Sequence, residues 1–119
     1  MMSESETLQQ LLSKDELGLQ ELQSFHVALD NEKHFDQDIF RNIAYLSGEI
    51  GELVSAIRKL RKANNVLEES DARIQVGDEL ADCLAYIVKL ANYTEVDLHD
   101  AYVGKMRRNT DREWPKAIR

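Results

Sequence analysis

The sequence predicts an all-α chain, organised as a four-helix bundle. Three observations carry this: 119 residues contain one proline and five glycines, Leu, Ala, Glu, Lys and Gln are abundant, and apolar residues recur at alternating spacings of four and three along two long stretches. The length suits one domain, and a helical chain this short often completes its core by oligomerising.

Residues 1–13 read as a short amphipathic or frayed start. A first helix is expected over about 15–32, with Leu17, Leu22, Phe25 and Leu29 facing inward, and the polar stretch Asn31–Asp38 reads as a loop. From Asp38 to about Lys62 an apolar seam runs through Ile39, Ile43, Leu46, Ile50, Leu53, Ile57 and Leu60, the mark of a helix with one continuous buried stripe. Asn64 and Asn65 end it, and Glu68–Asp71 reads as a polar connection in which Ser70 or Asp71 is the N-cap of the next helix, about 72–93. That helix has its own seam, Val76, Leu80, Cys83, Ile87 and Leu90. Asp97 then caps a fourth helix reaching about Arg108, and Trp114-Pro115 falls in a C-terminal extension. The second and third helices form an antiparallel pair.

Composition excludes several classes of function. Met1–Leu12 is acidic and polar, unlike a signal peptide, and no apolar run is long enough to span a bilayer, so a cytoplasmic protein without membrane partners is expected. The lone cysteine, Cys83, cannot form an intrachain disulfide or a cysteine-based zinc site, and reads as a core residue. A formal net charge of -7 argues against coating a nucleic-acid polymer. The charge is uneven: residues 105–119 hold six basic and two acidic side chains. Two readings of this basic tail stand, a solvated charged end or an anion site completed by metal ions on nearby carboxylates.

Glu49 and Glu52 are three residues apart on the second predicted helix, and Glu79 and Asp82 repeat that spacing on the third. Such pairs share one helix face. Each acid immediately precedes a seam residue (Ile50, Leu53, Leu80, Cys83), so packing the seams together brings all four acids to one groove. Four carboxylates there repel unless protonated or bridged by cations, and oxygen-only ligands select Mg2+ or Mn2+ over zinc. A di-iron carboxylate bundle needs Glu-x-x-His, which His26, His34 and His99 do not supply.

The run Gly48-Glu49-Ile50-Gly51-Glu52-Leu53 followed by Asp78-Glu79-Leu80-Ala81-Asp82 resembles the signature of the MazG-like all-α nucleotide pyrophosphohydrolases, and Lys105-Met106, Asn109, Arg112 and Trp114-Pro115 resemble their C-terminal phosphate-binding element. Phe25-His26, the glycine before Glu49, and Tyr86 look most like the dCTP pyrophosphatase branch. The resemblance implies hydrolysis of an NTP or dNTP, standard or modified, to the monophosphate and pyrophosphate. It implies Mg2+ or Mn2+ held by Glu49, Glu52, Glu79 and Asp82, phosphates met by Lys105, Asn109 and Arg112, and a homodimer or dimer of dimers. His26, Phe35 and Tyr86 match positions that line the family's base pocket, where aromatic faces sandwich the base; equally, they read as ordinary core residues. Two positions depart from the pattern. Gly48 stands where many relatives have a further acid, and Ala56–Leu60 lacks the tryptophan of the dCTP-preferring branch. A second class of function, a non-catalytic nucleotide-binding or helical assembly module, is consistent with those departures.

Overall fold

The computed structural model describes residues 4–113 and Pro115. These are helical with connecting turns and carry five α-helices: α1 (Glu4–Leu12), α2 (Leu19–Lys33), α3 (Ile39–Arg61), α4 (Val66–Tyr93) and α5 (Leu98–Thr110). The all-α class holds. The short N-terminal segment adds a helix to the four expected, and it packs on α2.

Local chemistry sets the boundaries. Asp38 caps α3 by accepting from the Arg41 N–H at 2.8 Å, and Asp97 caps α5 by accepting from the Asp100 N–H at 3.1 Å, the latter as the sequence implies. The start of α4 differs from expectation. Helix begins at Val66, so Glu68–Asp71 is not a connection and neither Ser70 nor Asp71 is the cap. Asn65 fills that role, accepting from the Glu68 N–H at 2.9 Å, while the Glu68 carboxylate accepts from the Asn64 N–H at 2.9 Å. The reciprocal bonds and the acids Glu68 and Glu69 in the first turn satisfy free N–H groups and suit the positive end of the helix dipole. The α2 boundary also moves, from about residue 15 to Leu19 with Gly18 as N-cap.

The α3–α4 hairpin is the dominant packing unit, with α2 laid along α4 and α5 docked on α2. One amide fixes the corner where α2, α4 and α5 meet. Gln23 donates to Val96 O (2.8 Å) and Asn92 Oδ1 (3.1 Å), and accepts from the Leu98 N–H (2.9 Å); Asn92 donates back to Gln23 O (3.0 Å).

The seams split in a way the sequence does not reveal. Leu46, Leu53 and Leu60 on α3 and Val76, Cys83 and Leu90 on α4 are buried or half-buried, whereas Ile43, Ile50, Ile57, Leu80 and Ile87 are 40–52% exposed. Half of each four-three pattern therefore closes the core within the chain. The other half forms an apolar ridge on its surface, larger than a scatter of isolated apolar residues.

Candidate active site

Glu49 and Glu79 lie fifteen positions either side of Asn64, so an antiparallel hairpin turning there sets them level. Asp82 and Glu52 are each one three-residue step further along their helix, displaced in opposite directions by about 4.5 Å of helical rise. The outcome is a compact trio. One oxygen from each of Glu49, Glu79 and Asp82 lies within 4.8 Å of the others. Glu52 stands outside that group, near enough for its charge to act on Glu79.

Burial first, then the apposed carboxyl of Glu49 and the charges of Glu52 and Asp82, raise the Glu79 pKa above the ordinary carboxylate value. Its Oε2 is buried without a hydrogen-bond partner. An orphaned carboxylate oxygen facing two other acids fits a hard divalent cation such as Mg2+ or Mn2+. The Cys83 thiol beside them is not a competing ligand: burial and the neighbouring Glu49, Glu79 and Asp82 push its pKa up and keep it protonated.

Glu49 and Asp82 also form part of the wall of a cavity of about 190 Å3, completed by His26, Leu29, Phe35, Ala85, Tyr86 and Lys89. Three helices and one loop thus bring the predicted base-pocket residues His26, Phe35 and Tyr86 to the acids. The rings do not form an open sandwich. The Lys89 ammonium lies over both, 5.1 Å from the Phe35 centroid and 5.1 Å from the Tyr86 centroid. His26 is half-buried, its Nδ1 lacks a hydrogen-bond partner, and desolvation lowers its pKa, so the imidazole is neutral near pH 7.

Phe35 is held by the turn after α2. His34 adopts the left-handed conformation (φ 54°, ψ 43°) that ends the helix, and the Phe35 N–H donates to Asp30 O at 3.2 Å. Asp36 ties the far side to α3: it accepts from Arg41 Nε (2.5 Å), the Tyr45 hydroxyl (3.1 Å) and the Asp38 N–H (2.9 Å). Arg41 holds its carboxyl well below the usual carboxylate range.

Three polar residues escaped the sequence reading, and of these Lys89 lines this cavity. Lys89, Asp30 and Asn42 are buried polar side chains. Lys89 had a signal: it is the single charge in Ile87-Val88-Lys89-Leu90 and follows Asp82 and Tyr86 by seven and three residues, on their helix face. Asp30 follows His26 by four on α2 but sits in what reads as a solvated acidic stretch. Of the expected phosphate contacts, Lys105 and Asn109 lie on α5 and Arg112 just beyond it, and none lines this cavity. Trp114 lies outside the described residues.

Residues 37–114, about two thirds of the chain, match the sequence profile of the MazG nucleotide pyrophosphohydrolase domain. The chain belongs to the MazG nucleotide pyrophosphohydrolase family. No curated protein matched it. The MazG match spans both acid pairs, Tyr86, Lys89 and α5, but begins after α2. The helix and turn that supply His26, Asp30 and Phe35 lie outside the matched residues. Among the described residues, no helix is long and apolar enough to cross a membrane.

Proposed function

We propose that this MazG domain hydrolyses nucleoside triphosphates, standard or modified dNTPs among them, to the monophosphate and pyrophosphate. The observation that carries the reading is the trio Glu49, Glu79 and Asp82, with an orphaned buried oxygen, opening onto a cavity framed by Phe35 and Tyr86. In the reaction water adds to the α-phosphorus, the bond from that phosphorus to the α–β bridging oxygen breaks, and pyrophosphate leaves with the electron pair.

The trio, with Glu52 one turn away, would hold Mg2+ or Mn2+. Bound, such an ion polarises phosphate oxygens and offsets the charge on departing pyrophosphate. With Gly48 in place of a further acid, proton removal from water falls to one of the four carboxylates. Lys105, as a point charge, Asn109, as an amide donor, and Arg112, as a fork, are the groups that would meet phosphates. His26, Phe35 and Tyr86 line the base end, and the lack of a tryptophan in Ala56–Leu60 leaves a dCTP-type preference without support from that stretch.

The exposed ridge of Ile43, Ile50, Ile57, Leu80 and Ile87 is the surface on which a second copy packs, giving a homodimer or a dimer of dimers. Function is tested by incubating the protein with Mg2+ and a panel of nucleotides. Pyrophosphate and the monophosphate should appear in equal amounts. Orthophosphate with a diphosphate product, or full activity in Asp82→Asn, would overturn the reading.

A further inference from the structure

We infer that Lys89, helped by Asn42, reads the base: the site takes nucleotides whose base presents a carbonyl beside a ring N–H (uracil, thymine, guanine, hypoxanthine) over those presenting an amino group beside a bare ring nitrogen (cytosine, adenine). The inference rests on the nucleotide-hydrolase reading above and names its substrate class.

Lys89 is 8% exposed, and its ammonium lies 3.3 Å from Asp30 Oδ1 in a charge contact that lacks hydrogen-bond alignment. Among the described residues none of its three N–H groups makes an aligned hydrogen bond. Side chains on a helix lean toward its N-terminus, so Lys89 reaches back along α4 toward Asp82, and both line the same cavity. A desolvated ammonium with unspent donors gains most from a ligand oxygen. It has no lone pair, and so it cannot accept from an exocyclic amino group.

The complementary acceptor is Asn42. It is fully buried, and its Nδ2 donates to two backbone carbonyls, Asp36 O at 2.9 Å and Asp38 O at 2.7 Å. Those bonds fix which end of the amide is nitrogen. Oδ1 is left as a buried acceptor without a partner, and Asn42 lines a cavity of about 240 Å3 together with Phe35, Tyr86 and Lys89. One donor and one acceptor around the same rings match a C=O beside an N–H. Held in the same orientation, cytosine and adenine present the reverse pair at that edge, which leaves both protein groups unmet.

The test is kcat/KM with Mg2+ for dUTP, dTTP, dGTP, dCTP and dATP, on the native protein and on Lys89→Met/Asp30→Asn, a double variant that leaves no single buried charge unpaired. Native protein should prefer dUTP to dCTP by about a hundredfold. In the double variant that ratio should fall below about tenfold, through a rise in KM for dUTP. Native preference for dCTP or dATP overturns the inference, as does an unchanged ratio. An equal loss on all five nucleotides also overturns it, because that marks Lys89 as a phosphate contact or a structural group. Circular dichroism checks the fold; should the double variant unfold, the native ranking decides. If no nucleotide is hydrolysed, the hydrolase reading fails by itself, and calorimetric binding of dUTP against dCTP still ranks the bases.

Discussion

Asp30 on α2 accepts a hydrogen bond from the Tyr93 hydroxyl on α4, joining the two helices that flank the Lys89 cavity. Asp30 is 2% exposed, so this bond and the Lys89 contact are what compensate its charge. Tyr93→Phe should lower unfolding free energy by about 1–3 kcal/mol near pH 7, the usual cost of removing a partner from a buried group. Burial, then the bond to Asp30, raise the Tyr93 pKa above the ordinary phenol value. The sign follows: the folded state favours the neutral phenol, so its stabilisation is complete below about pH 10 and is lost as pH rises toward the raised value. Urea titrations at pH 7 and above pH 10 should show the gap between native and variant shrinking at high pH.

Glu79 behaves in the opposite sense when Mg2+ is removed. Its raised pKa means that its charge opposes folding in the metal-free protein at neutral pH, so Glu79→Gln should raise the melting temperature there. Adding Mg2+ should raise the melting temperature of the native protein as mass action predicts for a ligand of the folded state. It should do so weakly or not at all in the variant, whose pyrophosphate release falls by about a hundredfold or more. Thermal scans with and without EDTA separate these effects.

The α3–α4 ridge makes a prediction about assembly. Ile43→Asp and Ile57→Asp put a charge at positions 44% and 40% exposed in the single chain, where a substitution changes folding by roughly 0.5 kcal/mol or less. In an interface the same charge is expelled. Light scattering should give twice 13.7 kDa, or four times, for the native protein and 13.7 kDa for the double variant, with helical content retained.

The extent to which sequence anticipated structure follows from what each signal encodes. Helix class, the Asp97 cap and the positions of Glu49, Glu79 and Asp82 were legible because they depend on local sequence and on spacing within a helix. The start of α4 was missed because Glu68, Glu69, Ser70 and Asp71 look like a polar loop, although Asn65-Val66-Leu67-Glu68 has the composition of a capping box. The exposed half of each seam was not legible, since periodicity marks an apolar stripe without saying whether this chain or another covers it. Lys89 was marked only as a lone charge in an apolar run, since its burial depends on Asp30, fifty-nine positions earlier.

Asp36 gives a prediction about the pocket wall. It is not part of the acid trio, yet its bonds to Arg41, Tyr45 and the Asp38 N–H hold the turn that places Phe35 against Lys89. Asp36→Ala removes these acceptors while leaving Phe35, Tyr86 and the acid trio in the sequence. Asp36 is half-buried and its partner Arg41 is exposed, so the global fold should change little. The effect should fall on pre-organisation: ordering a loose turn on binding costs about 0.5–1.5 kcal/mol per immobilised side chain. KM for the preferred nucleotide should therefore rise by about 3- to 10-fold with kcat nearly unchanged, since the acid trio lies on α3 and α4 and not on this turn. A fall in kcat with KM constant would instead place Asp36 in the path of the reacting groups, and steady-state kinetics on the two proteins tell the cases apart.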